Sequence, residues 1–286
     1  MRRLSFAVAI AAALCARPSS PAAGAGAPSC GEPEGMCMVE GGFYRLALPP
    51  DAAGPVPAVA YLHGWGGNSL AVMQGANGLR EALALRGYAL IVPEGVPKPG
   101  REQRDWAVRD MMRNHPRDDM AYLAAVLEDA AERGVDRGRI LLAGFSRGGS
   151  MVWDAACQAP GLARAYAPVA GAFWEPLPAD CGGPVDLFHT HGWTDRVVPL
   201  EGRAVAQGRL IQGDAFASLA IMREVTGCSA RMPDTAPMEA DGDIWWRHWT
   251  SCPGGRLDLM LHPGGHALPQ GWVARAIEWF ETLERE

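Results

Sequence analysis

Arg139-Ile140-Leu141-Leu142-Ala143-Gly144-Phe145-Ser146-Arg147-Gly148-Gly149-Ser150 is the stretch that decides the fold. Its first half is an unbroken apolar run of strand length, the pattern of a strand buried on both faces. The next segment, Ser150 to Cys157, reads as the start of a helix. Ser146 therefore stands on a strand-to-helix turn, with glycine two positions before it and two after. Such a turn strains the backbone of the serine and brings the helix so close to the strand that a Cβ at either flanking position has no room. This is the spacing of a nucleophile elbow, which holds a serine hydroxyl up at the end of a strand.

Two further strand ends complete the pattern. His191-Gly192-Trp193-Thr194-Asp195 closes the apolar run Pro184 to Phe188 and puts Asp195 in a loop after a strand. Leu257 to Leu261 leads into His262-Pro263-Gly264-Gly265-His266. The chain order is Ser, Asp, His, which is that of the α/β-hydrolase fold and not of the other serine hydrolase architectures. Asp186 competes with Asp195 but lies within a strand. His262, His191 and His189 compete with His266, whose two preceding glycines and loop position leave it free to swing toward Ser146. His63, before Gly64, reads as a tether for its own loop.

Strands and helices alternate along the rest of the chain. Strands are expected over Phe43 to Leu48, Pro57 to Leu62, Tyr88 to Val92, the elbow run, Ala165 to Val169, Ile244 to Trp249 and Leu257 to Leu261. Helices are expected over Gly78 to Arg86, Asp118 to Glu132, from Ser150, from about Arg203 to Val225, and over Trp272 to Arg285. Alternation of this kind implies an α/β fold, a mostly parallel sheet with helices on both faces. Ligands of open α/β sheets bind at the carboxyl ends of the strands, which is where Ser146, Asp195 and His266 fall. About 14 residues, rich in Pro and Gly, separate Ala170 from Val185. No helical lid fits there, so an open site is expected.

Composition adds a compartment. Arg2, Arg3, the apolar segment Leu4 to Leu14 and the small residues and prolines through Ala27 have the form of a secretory signal peptide. Cleavage after Ala25 is the preferred site and Ala16 an alternative. That apolar core is too short for a permanent membrane anchor, and Leu14 before Cys15 fits lipoprotein processing poorly. The expected organisation is a signal peptide over 1–25, a flexible leader over 26–42 and one catalytic domain over 43–286. The location is secreted or periplasmic. Six of the seven cysteines follow the signal segment, an even number that favours disulfides. Sequence leaves many pairings open, and proximity suggests Cys30 with Cys37, Cys157 with Cys181 and Cys228 with Cys252. A formal net charge of −6 and the lack of a basic cluster argue against nucleic acid as a partner.

The motif set Leu62-His63-Gly64-Trp65-Gly66-Gly67, Val135 to Ile140 leading into the elbow, His191-Gly192 before Asp195, and Gly264-Gly265-His266 resembles the secreted esterase family of polyhydroxybutyrate depolymerases and feruloyl or acetyl xylan esterases. The resemblance runs from about Phe43 to the C-terminus, and the placement of Cys157 with Cys181 and Cys228 with Cys252 is also similar to that family. It implies a serine carboxylesterase acting on small or polymer-attached esters, with no metal and no organic cofactor. Ser146 would attack, His266 would move the proton and Asp195 would orient the imidazole. The backbone N–H groups of Arg147 and Trp65 would bind the oxyanion. The chain ends soon after its last helix without a second module for gripping solid polymer, so insoluble polyester is not expected as the main substrate.

Of ten tryptophans, Trp153, Trp245, Trp246, Trp249, Trp272 and Trp279 read as filling core or covering a helix face. Trp65, Trp174 and Trp193 follow strand ends and are expected on the rim of the site, with Trp174 and Trp193 touching substrate and Trp106 a fourth candidate. Arg147, a cation at a helix N-terminus, is expected either to meet an acidic substrate group or, the preferred reading, to lie in solvent with its stem on the rim. Two other function classes share these residues. One is a serine peptidase of the same fold, distinguished by its activity on aminoacyl amides. The other is a hydrolase-like binding protein, distinguished by a Ser146 that does not react with a fluorophosphonate.

Overall fold

The computed structural model describes residues 28–32, 34–75, 78–108, 115–228, 232–234 and 243–283. The signal segment expected over 1–25, and Cys15 with it, lies outside them. In chain order the first half carries β1 (Cys37–Val39), β2 (Gly42–Ala47), β3 (Val56–Leu62), α1 (Ser69–Met73), α2 (Leu79–Ala84), β4 (Ala89–Pro93), β5 (Val96–Pro97), β6 (Arg104–Asp105) and α3 (Asp119–Glu132). The second half carries β7 (Val135–Phe145), α4 (Arg147–Gln158), β8 (Ala165–Val169), β9 (Leu187–Gly192), β10 (Arg203–Val205), β11 (Leu210–Gln212), α5 (Ala215–Thr226), β12 (Trp245–Cys252), β13 (Gly255–His262) and α6 (Trp272–Thr282).

Nine strands form one sheet in the order β1-β2-β4-β3-β7-β8-β9-β13-β12. The six from β4 to β13 are parallel, and β1, β2 and β12 join antiparallel at the edges. The apolar runs of the sequence are continuous because these strands are covered on both sides. Along β3, Ala58, Ala60 and Leu62 face the layer of α3, α4 and α5, while Val59 and Tyr61 face α1, α2 and α6. The same alternation splits Ile140 and Leu142 from Leu141 and Ala143 on β7. Two helices are started by aspartates: Asp118 accepts from the N–H groups of Met120 and Ala121, and Asp214 from those of Phe216 and Ala217.

Two segments differ from expectation. Residues 37–39, expected to belong to a leader, form β1, because pairing with β2 and the Cys30–Cys37 disulfide hold them to the sheet. The stretch from Arg203, expected to be helical, opens instead with the β10–β11 hairpin, and only α5 is helix. Ala206, Gln207 and Gly208 all take positive φ in its turn, and Arg203 Nε donates to Gln212 Oε1 at 3.0 Å across it. Local helix propensity loses to this cross-strand pairing. Disulfides also join Cys157 to Cys181 and Cys228 to Cys252. Among the described residues no helix is long and apolar enough to cross a membrane, and no helix covers the span from Ala170 to Val185.

Candidate active site

Ser146 sits between the end of β7 and the first residue of α4 with φ 58° and ψ −117°, a conformation that L residues rarely adopt. Its N–H donates to Val169 O on the neighbouring strand at 2.9 Å, which holds the turn up. A Cβ on Gly144 would come within 2.6 Å of the Gly148 carbonyl, and one on Gly148 within 2.2 Å of Leu62 O. These contacts are the reason for the glycine spacing in the sequence: α4 crosses directly over β7 and β3.

The loops after β9 and β13 bring two further side chains to this point. Ser146 Oγ lies 2.8 Å from His266 Nε2, and His266 Nδ1 lies 2.7 Å from Asp195 Oδ2. The Phe145 ring packs against the imidazole, with centroids 4.7 Å apart. The other oxygen of Asp195 accepts from the N–H groups of Val197 and Val198, each at 2.8 Å. Burial works to raise the Asp195 pKa, but the hydrogen bonds from His266, Val198 and Val197 outweigh it and hold the carboxyl below its usual range. A carboxylate kept ionised and fixed in this way selects the His266 tautomer with its proton on Nδ1, leaving Nε2 to accept from the serine.

The rival residues fall elsewhere. Asp186 pairs with Arg164 and accepts from Arg256 N–H at 2.8 Å. His191 Nε2 is bonded to Val198 O at 2.7 Å, with His189 behind it at 3.0 Å, and both rings are fully buried. His262 Nδ1 accepts from Gly264 N–H at 3.1 Å. Burial lowers the pKa of all three, so they serve as neutral supports beneath the Asp195 and His266 loops.

The loop after β3 approaches from the opposite side. Gly64 is near enough that a Cβ on it would stand 3.4 Å from that of Ser146. His63 is buried and tied at both nitrogens, to Gly64 O at 2.9 Å and to Gly95 N–H at 3.0 Å, and burial lowers its pKa. Trp106, a rim candidate from sequence, is fully buried instead, and its indole N–H donates to His63 O at 2.8 Å. The N–H groups of Gly66 and Gly67 are taken by Arg104 O and Gly64 O. Glu94, which sequence reasoning misses, accepts from Ser69 N–H at 2.8 Å and pins the far end of the loop. Its only signal is a carboxylate directly after the apolar strand β4.

The preferred expectation for the Arg147 side chain, a solvated head group, does not hold. The guanidinium is buried, pairs with Asp105 at 2.7 Å and lies over the Trp174 ring at 4.7 Å. Desolvation at the helix start is tolerable because Asp105 supplies the counter-charge. Trp174 is held by a hydrogen bond from its indole N–H to Ser150 Oγ at 3.2 Å and by a backbone bridge to Gln212. Ser146, Arg147, Asp105, Trp65, Trp174 and the β11 residues Leu210 and Gln212 line a cavity of about 250 Å³, with Lys98, Arg101 and Gln103 at its edge. Trp193 is not among its lining residues, because it packs edge-on against Trp245 with centroids 4.4 Å apart. A second cavity of about 660 Å³ opens on the side of His266 and Phe145. Among the described residues no group of three or more His, Cys, Asp or Glu side chains could hold a metal ion.

A mostly parallel sheet, helices on both faces and a strained serine at the end of a central strand define an α/β-hydrolase. The model of the dienelactone hydrolase family matches residues 44–203, which include Ser146 and Asp195; the chain belongs to that family and is a carboxylic ester hydrolase. Solved structures agree on the fold. A Bacillus cereus carboxylesterase is similar at 16% identity and TM-score 0.55, over 86% of this chain and 95% of that one. YahD, solved with malic acid, is similar at 15% identity and TM-score 0.54, over 86% and 99%. Esterase PE8 is similar at 17% identity and TM-score 0.50, over 87% and 99%. A search among curated proteins finds no match to the chain.

Proposed function

We propose that the protein is a secreted or periplasmic serine carboxylesterase, similar to polyhydroxybutyrate depolymerases and feruloyl esterases, working through Ser146, His266 and Asp195. The observation that carries this reading is the continuous hydrogen-bonded path from Ser146 Oγ to His266 at 2.8 Å and on to Asp195 at 2.7 Å. Ser146 attacks the ester carbonyl while His266 Nε2 takes its proton, and the imidazolium is stabilised by the ionised Asp195. The N–H of Arg147, first in α4, and the N–H of Trp65 bind the developing oxyanion. Those of Gly66 and Gly67 already have protein partners, which supports Trp65 as the donor in its loop. His266 then protonates the departing alcohol, and water repeats the sequence to release the acid. Export is supported by the three disulfides, which persist in oxidising compartments.

A fluorophosphonate should label Ser146 in the wild type and not in Ser146→Ala, which separates a catalyst from a binding protein. Hydrolysis of methyl ferulate, acetylated xylan, short p-nitrophenyl esters and 3-hydroxybutyrate oligomers, against an aminoacyl amide, then reads the subtype. Turnover of the amide alone would favour the peptidase reading and overturn this one.

A further inference from the structure

The two cavities at the site divide between them the two halves of an ester, and their linings differ in chemistry. One includes Ser146, Arg147, Trp65 and Trp174; the other includes His266, Phe145 and the segment from Ala267 to Ala274. They share no lining residue and meet across the Ser146–His266 hydrogen bond. In the tetrahedral intermediate the former carbonyl carbon carries Ser146 Oγ, the oxyanion, the acyl substituent and the alkoxy group. When that intermediate collapses the carbon–alkoxy bond breaks, and the proton on His266 Nε2 goes to the leaving oxygen. The alkoxy group must therefore point to the His266 side and the acyl substituent to the other.

We propose that the cavity of about 660 Å³ beside His266 receives the leaving alcohol, and that this alcohol is apolar, aryl or branched alkyl, in preference to a carbohydrate. This rests on the roles of Ser146 and His266 under Proposed function, and within that reading it favours small esters over feruloylated or acetylated sugars. The walls are Phe145, Leu268, Pro269, Trp272 and Val273, with Ala82 and Leu85 of the α2 segment opposite. The Trp272 ring is buried beneath this surface, its indole N–H turned inward onto Thr190 Oγ1 at 3.1 Å, so it offers the cavity no donor. Arg86 is the one permanently charged residue among the described lining, and it is engaged by Glu278 at 3.2 Å. A sugar hydroxyl leaving water for this surface would find few partners, whereas an apolar alcohol gains from burial. The acyl side is mixed, with Gln103, Gln212, Lys98 and Arg101 around the two tryptophans, Val197, Val198 and Leu210.

The test is a set of acetate esters with one acyl group and varied alcohols: methyl, isoamyl and phenethyl acetate against monoacetylated xylose and glycerol. The expected result is a kcat/KM for phenethyl acetate at least about tenfold above methyl acetate, and sugar and glycerol acetates no better than methyl. Leu85→Glu changes an exposed side chain, and Ala82→Leu narrows the cavity while adding apolar surface. Both should reduce the phenethyl-to-methyl ratio about threefold or more, whereas Trp65→Ala should leave that ratio unchanged and, in a separate series of p-nitrophenyl esters, alter the ratio between acyl groups. Methyl acetate turned over with a flat ratio, or with sugar acetates preferred, overturns the proposal and leaves the esterase reading intact. No turnover of any ester, with Ser146 inert to a fluorophosphonate, overturns both.

Discussion

The centre formed by Ser146, His266 and Asp195 and the wall formed by Arg147, Asp105 and Trp174 meet at the cavity that Ser146 lines, and they are held in different ways. Each member of the centre sits at the carboxyl end of a parallel strand or in the loop after it; backbone contacts fix Ser146 through Val169 O and Asp195 through the N–H groups of Val197 and Val198, and these two with Phe145 hold His266. The wall is held by side chains from distant segments, Arg147 on Asp105 and Trp174 on Ser150. A sheet can fix reacting atoms with little help from side-chain packing. The shape of the space around them is set by long-range pairs that can be replaced one at a time.

The largest test of this contrast is Ser146→Ala, which should lower kcat/KM by at least about 10⁴-fold while the thermal midpoint stays close to wild type. Ser146→Gly should be equally inactive but more stable than Ser146→Ala by about 1 kcal/mol or more, because it releases the strained φ of 58°. Equal stability of the two in denaturant titration would mean that the elbow stores no strain. On the wall, Asp105→Ala removes the carboxylate that offsets the buried Arg147 guanidinium and should cost about 3–5 kcal/mol. The double variant Asp105→Leu with Arg147→Met should recover most of that, and a loss equal to the sum of the single changes would show that the pair is not the unit.

Acid should act on the supports of the centre. His63, His189, His191 and His262 are all held below the ordinary value of 6.5, chiefly by burial. Below that pH the unfolded chain binds protons that these folded imidazoles refuse, so stability falls with pH, by up to about 1.4 kcal/mol per pH unit for each. The stability contributed by Asp195, whose folded pKa is depressed, persists to lower pH and is lost only as pH falls through that depressed value. Midpoints measured from pH 7 down to pH 5 should fall steadily, and a flat profile would contradict the burial argument. The smallest effect belongs to Trp65→Ala. That side chain is 57% exposed, so stability should change by less than about 0.5 kcal/mol while KM rises a few-fold for esters with bulky acyl groups.

The same contrast explains what is legible in advance. Gly144, Ser146, Gly148 and the loop positions of Asp195 and His266 can be read because the constraint is local: a strand end, a turn and the residue types that the turn admits. Trp106 and Trp193, expected on the rim, lie elsewhere because a position after a strand end says nothing about which way a side chain turns. Trp106 is claimed by His63 O and Trp193 by Trp245. The helix expected from Arg203 fails for a related reason, since residues of fair helix propensity are overruled by pairing with β11 and by the bridge from Trp174 to Gln212.

By itself the sequence determined the class of fold, the parallel core and the three side chains expected to meet at the site, because each depends on periodicity or on spacing within about a dozen residues. Only the tertiary structure decided that Arg147 would be buried on Asp105, 42 positions away in the chain. The same holds for the β10–β11 hairpin against Trp174 and for the two unlike cavities on either side of Ser146. Those outcomes turn on which charge is near enough to offset desolvation and which surfaces meet when the sheet closes, and such distances are set only once the whole chain has folded.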